Sequence, residues 1–145
     1  MKEAASALGL KLVELGSGTD HEKLLSAFQV AVRERINGII TTTGPLISAQ
    51  RKSIILLAAN HKLPAIYPNK SFVEDGGLMS YGTDPGESYR RAAVYVDKIL
   101  RGAKPADLPV ERPMKFEFYA NLKAAKQINF TIPPNVLVRA DKVIR

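Results

Sequence analysis

The sequence contains no cysteine, which removes disulfides, thiolate nucleophiles and cysteine-ligated metals from consideration. Histidine is nearly as scarce: His21 and His61 fall in two different predicted helices, too little to build a metal site. No apolar run approaches the length of a membrane span. The opening "MKEAASALGLKLVELG" is an amphipathic helical pattern, not a charged stretch followed by an apolar one. Taken literally, it gives the expectation of a chain that stays in the cytoplasm. Nucleotide signatures are missing as well. The phosphate-loop spacing is absent from "TTTGPLISAQ", and "GSG" at Gly16–Gly18 lacks the dinucleotide pattern. No serine stands in a G-x-S-x-G elbow. Asp20, His21 and Glu22 are adjacent in a first helical turn and point in different directions, so they read as capping and dipole partners. Neither a catalytic residue nor a cofactor is expected.

The length of 145 residues suits one domain with a sizeable core, and 46% hydrophobic with 24% charged residues is ordinary for a globular chain. A net charge of +7 raises the possibility of a nucleic-acid or membrane partner. The 21 lysines and arginines are spread along the chain, however, densest at Arg33/Arg35, Arg51/Lys52 and Arg90/Arg91. They form no basic tail, and no zinc-finger spacing or aromatic RNA-binding motif accompanies them. A basic solvated surface without nucleic acid is the expectation.

Periodicity supplies the elements. Residues 2–9 read as a helix closing near Gly9. "LKLVEL" (Leu10–Leu15) alternates like a strand. Thr19 and Glu22 fit a capping box for a helix running to about Arg35, with Leu24, Ala27, Phe28, Ala31 and Val32 on its apolar face. Strands at Gly38–Thr43 and Leu63–Tyr67 flank a helix from about Ile47 to Asn60. Such alternation predicts a parallel sheet covered by helices. Beyond it, "LMSYG" reads as a short strand, Pro85–Gly102 as a helix with Gly102 at its C-terminus, and "AKPADLPVERPMKF" as an extended connector. "KFEFYA" reads as a strand, Asn121 caps "LKAAKQI", and the prolines of "TIPPNVLVRADKVI" open a final helix.

Parallel α/β sheets place ligands at strand C-termini. Thr43, Gly44 and Pro45 lie at one such end, where amides and hydroxyls could hold a carboxylate or simply cap the next helix. Tyr67 and Tyr81 end the apolar pieces "LPAIY" and "LMSYG", and could stack on a ligand or close the core edge. Asp84 could meet an ammonium group or serve as the N-cap of the helix after it.

The blocks "LPAIY", "GGLMSYG", "RRAAVYVDKILRGAKPADLPVE", "NLKAAK" and "IPPNVLVRAD" resemble the ABC-transporter substrate-binding protein family that includes tryptophan- and tyrosine-type amino-acid binders. The resemblance covers nearly the whole chain. It implies an α/β parallel-sheet lobe of the type I periplasmic-binding-protein (flavodoxin-like) fold, with three crossing segments to a first lobe and a solute bound in the cleft between lobes. Family members resemble one another in being about twice this length and carrying an export signal, with a periplasmic or lipid-anchored location and an ABC transporter membrane subunit as partner. On that resemblance residues 1–77 form the second lobe without its first strand. Residues 78–113 supply a crossing strand and a helix belonging to the missing first lobe, and residues 114–145 the return strand and C-terminal helices. Relatives often read "DP" where this chain has Gly44-Pro45. The expected ligand set is Thr43, Gly44, Pro45, Tyr67, Tyr81 and Asp84, without catalytic or metal residues, and the truncated chain is expected to form a homodimer. The alternative expectation is a small flavodoxin-like cytoplasmic regulatory or enzyme domain without a transport role.

Overall fold

The computed structural model describes residues 2–16, 21–113 and 115–145. Five strands form one sheet in sequence order: β1 (Ile39–Ile40), β2 (Ala65–Tyr67), β3 (Met79–Thr83), β4 (Phe116–Asn121) and β5 (Lys142–Ile144). The first three are parallel, β4 runs antiparallel to β3, and β5 is parallel to β4. Helices connect the parallel strands: α3 (Pro45–Ala49) and α4 (Arg51–Asn60) between β1 and β2, and α5 (Lys70–Glu74) between β2 and β3. Before them come α1 (Lys2–Ala7) and α2 (His21–Arg33), and after β3 the long α6 (Pro85–Leu100). Two short helices, α7 (Leu122–Gln127) and α8 (Pro134–Leu137), follow β4.

Two of the three strands expected in a parallel sheet are found, and the third is not. Leu10–Leu15 adopts no regular structure, and Leu10 and Leu12 are exposed. An alternating pattern becomes a strand only where a neighbour offers ladder hydrogen bonds. Among the described residues the outer edge of β1 has no partner. The strand expected over Gly38–Thr43 shortens to Ile39–Ile40, with ladder bonds from the Ile39 amide to the Pro64 carbonyl and from the Thr41 amide to the Ile66 carbonyl. A single helix expected from about Ile47 to Asn60 is two, broken at Gln50, whose backbone leaves the α region (φ −94°, ψ 13°). The Thr19 half of the expected capping box lies outside the described residues.

The C-terminal stretch corrects another expectation. Only Pro134–Leu137 is helical, and Lys142–Ile144 then joins the sheet. Asp141 explains the switch. Its amide donates to the Phe118 carbonyl, and its carboxylate accepts from the Phe118 amide at 2.7 Å, pinning the chain along β4.

Several helices end alike. A left-handed residue follows α2, α4, α6 and α7 (Arg35, Lys62, Gly102 and Asn129), and the next amide bonds back five residues, as from Leu63 to Ala58. Two contiguous apolar clusters result. Phe28, Ala31, Ile54, Ile55, Ala58, Ala65, Tyr67 and Phe72 unite α2, α4, α5 and β2. Leu78, Ala120, Ala124, Ala125, Ile128 and Ile132 unite β4, α7 and the segment after it. Asn121, itself buried, joins both regions: its side-chain oxygen accepts from the Ala124 amide and its amide group donates to the Val73 carbonyl. In contrast, none of the described side chains of α6, residues 86–100, is buried, and Tyr89, Val94, Val96, Ile99 and Leu100 are exposed.

Candidate functional site

The sheet's strand directions bring four segments to one edge. Parallel β1, β2 and β3 end there with their C-termini, and antiparallel β4 begins there. The edge therefore carries residues 41–45, 68–70, 81–84 and 115–117. Thr43, Tyr81 and Asp84 from the expected set arrive together with Gly44 and Pro45, although they lie up to 41 positions apart in the sequence.

Each behaves differently. Thr43, in the loop after β1, and Pro45, the first residue of α3, are both exposed. Gly44 begins α3 in extended backbone with no side-chain cap, and nothing lies within 4 Å of where a Cβ would stand. Tyr81 is 56% exposed, and its ring stacks on Phe116 of β4 at 5.5 Å between centroids. The two lie diagonally across the β3–β4 ladder, where pleating puts them on one face. Asp84 caps α6 by accepting from the Gly86 amide at 3.0 Å, and also meets Lys70 at 3.6 Å and Arg90 at 3.5 Å. The amide bond chiefly, with the two cations, holds its carboxyl below the usual aspartate range.

Tyr67 is not at the surface of this edge. It is 2% exposed, stacked on Phe72 at 4.8 Å, and a Cβ on Gly77 would strike its ring at 2.6 Å. Burial raises the pKa of its phenol. Of the two readings open for it, the structure supports the core one.

Four residues outside the expected ligand set also stand at the edge. Lys70, at the start of α5, donates to the Glu117 carboxylate at 3.3 Å. That bond foremost, then the charges of Glu117 and Asp84, raises its pKa against the cost of desolvation. Phe116 and Glu117 come from the strand "KFEFYA", whose alternation alone could have assigned them opposite faces. Thr41 contributes a buried hydroxyl with no hydrogen-bond partner.

Beside the edge lies an open groove of about 520 Å³ between α6 and the connector over residues 105–113, lined by Asp84, Glu87, Arg91, Tyr95, Ile99 and Leu108. Its walls mix acidic, basic and apolar groups. Among the described residues no three histidine or acidic side chains could hold a metal ion. The edge as a whole offers aromatic stacking, hydroxyls, backbone amides and paired charges, a set suited to binding a small polar molecule.

Comparison with known proteins bears on the family and the fold. The family described as ABC transporter substrate binding protein matches residues 1–144. Among solved structures, a conserved domain protein from Vibrio cholerae superposes with a TM-score of 0.88 at 30% identity, covering 98% of this chain and 47% of that one. An ABC domain from Streptococcus pneumonia in complex with L-Trp gives 0.85 at 26% identity, covering 99% and 49%. A ligand-free, open substrate binding protein with adhesive properties from Clostridium difficile, at 24% identity and a TM-score of 0.68, shares the fold and is covered over 47% of its length. This chain thus spans about half the length of each. A search of curated proteins finds no match.

Proposed function

The chain belongs to the ABC transporter substrate binding protein family, and on that premise we propose that its sheet edge forms one wall of a cleft that closes on an amino acid. The observation that carries the reading is that Thr43–Pro45, after β1, and Tyr81 and Asp84, at the end of β3, share the sheet edge from which the chain leaves through β3 and returns through β4. A cleft at a crossing between two bodies buries a ligand as the bodies close. Tyr81 with Phe116 supplies an aromatic surface for an apolar or aromatic side chain. Asp84 faces the ammonium group, and the Thr43 hydroxyl with the Gly44 amide faces the carboxylate. Tyr67 supports the wall from beneath. The L-Trp complex of the streptococcal relative supports the amino-acid class.

Antiparallel β4 favours the two-lobed reading over the alternative of a small flavodoxin-like cytoplasmic domain. Return of the chain through an antiparallel strand, after α6 and a long connector, departs from an all-parallel sheet. We place the solute's delivery at an ABC transporter membrane subunit, with the parent protein outside the cytoplasm. Among the described residues no helix is long and apolar enough to cross a membrane. One wall alone leaves most of a ligand in water, so the isolated chain binds solute weakly or not at all.

Calorimetric titration of the amino acids into this chain joined to the other half of its fold tests the reading. One amino acid binds, and Tyr81→Ala and Asp84→Asn each lower its affinity by about tenfold or more. Unchanged affinity in both variants refutes the site.

A further inference from the structure

The two segments that leave and re-enter the sheet are joined through one side chain. Lys70 Nζ lies 3.6 Å from Asp84 Oδ1, on the outgoing segment, and 3.3 Å from Glu117 Oε2, on the returning one. Neither contact is an ordinary surface pair. The Lys70 side chain is 34% exposed and both carboxylates 16%, so solvent screening is reduced at the acidic ends.

The placement of Lys70 is enforced from two directions. Gly82 pairs with Glu117 across the β3–β4 ladder, and a Cβ on Gly82 would stand 1.8 Å from the Pro68 carbonyl oxygen. Only glycine lets the turn after β2 sit this close to β3. Two residues beyond Pro68, Lys70 then faces the residue paired with Gly82. Asn69 fixes the turn by accepting from the Ser71 amide at 3.2 Å. A lysine in the first turn of a helix runs against the helix dipole, so nothing local to α5 favours a cation there. The two carboxylates do.

Each carboxylate also has a basic partner nearer to it in sequence. Arg90 meets Asp84 within the α6 region, and Lys115 meets Glu117 at 3.7 Å on the returning segment. Among the described residues Lys70 bridges the two segments, while Arg90 and Lys115 neutralise each one separately.

We propose that Lys70 is a positioning residue that ties both crossing segments to the sheet and so sets the angle at which α6 leaves it. Resting on the two-walled cleft proposed above, this angle fixes how far the cleft stands open before solute arrives. Lys70 need not touch the solute to do so.

The absence of cysteine makes the test clean. Spin labels on Lys52→Cys in α4 and Lys98→Cys in α6, both exposed positions, report the distance between the sheet's helical layer and α6. Labelled chain diluted into unlabelled chain excludes distances between copies. With Lys70 intact a single narrow distance is expected. Lys70→Met loses it in favour of a broad distribution, Lys70→Arg restores it, and Glu117→Gln, which cuts one arm only, broadens it less. Circular dichroism confirms that each variant is folded. If Lys70→Met does not fold, Glu117→Gln with the further change Lys115→Met decides, since it leaves the Asp84 arm in place. A narrow, unmoved distance in every folded variant overturns the proposal. The measurement needs no solute, so failure of amino-acid binding refutes the cleft and leaves this result to stand or fall separately.

Discussion

Gly82→Ala probes the glycine with the least room for a side chain among those described. A Cβ at this position would lie 1.8 Å from the Pro68 carbonyl oxygen and 2.9 Å from its carbon, both backbone atoms. Ordinary contacts begin near 3.4 Å, so the two segments must separate by roughly 1.6 Å. Neither side yields readily. On one side β3 is bonded to β2 and β4 at once; on the other, Pro68 is held between Tyr67, which is buried, and Asn69, which caps α5. Overpacking costs about 1–3 kcal/mol where side chains can adjust, and this contact is backbone against Cβ, so the upper end of about 3 kcal/mol applies. For a chain of this size that lowers the melting temperature by roughly 10 °C. Gly44→Ala at the same edge is the control. Its backbone is extended (φ 172°) and nothing lies within 4 Å, so it should be neutral or stabilise by at most about 1 kcal/mol. Equilibrium unfolding in urea, followed by circular dichroism, compares the two. Equal midpoints for Gly82→Ala and Gly44→Ala would refute the reasoning, because an added methyl meets backbone at the first and nothing at the second.

Phe72 is fully buried between Tyr67 and the Arg51 guanidinium, so Phe72→Ala should cost about 3–5 kcal/mol in the same unfolding assay. Asp84→Asn keeps an oxygen for the Gly86 amide and loses only the charge. Because folding lowers this carboxyl's pKa, its contribution is fully present above the ordinary aspartate value of 3.8 and is lost as pH falls below it. Melting curves of the chain and Asp84→Asn should therefore differ at neutral pH and converge under acid; a constant gap at all pH values contradicts the assignment. The exposed apolar positions of α6 should drive self-association of the isolated chain into a homodimer, and Val96→Glu with Leu100→Glu should abolish it. Light scattering at micromolar concentration decides, a monomer before mutation being the adverse result.

Local rules read much of this chain correctly. Asn121 and Asp84 announce helix starts through side chains that accept from nearby amides, and Gly9 and Gly102 announce helix ends through positive φ. These are short-range interactions, complete within a few residues, so sequence alone carries them. At the candidate site the same logic found Tyr81 and Asp84 because strand ends before helices are visible as pattern breaks. It could not separate the two tyrosines, which end similar apolar pieces. Whether a ring is buried like Tyr67 or exposed like Tyr81 depends on the helix packed over it, here α5 with Phe72.

What escaped the sequence is what depends on distant partners. Leu10–Leu15 has the alternation of a strand, and Lys142–Ile144 was hidden in an expected helix; among the described residues the first pairs with no strand, and the second follows Asp141, which bonds Phe118. Lys70 looked like any loop lysine until the antiparallel return of β4 set Glu117 opposite Gly82, 47 residues further along the chain than Lys70. Residue types and their spacing determined α6 and α7 with their caps, and the resemblance of whole sequence blocks determined the family. Strand pairing, the burial of Tyr67 and the Lys70 bridge were decided only by the tertiary structure, because hydrogen-bond ladders, desolvation and ion pairs act on distance in space and have no counterpart in sequence order.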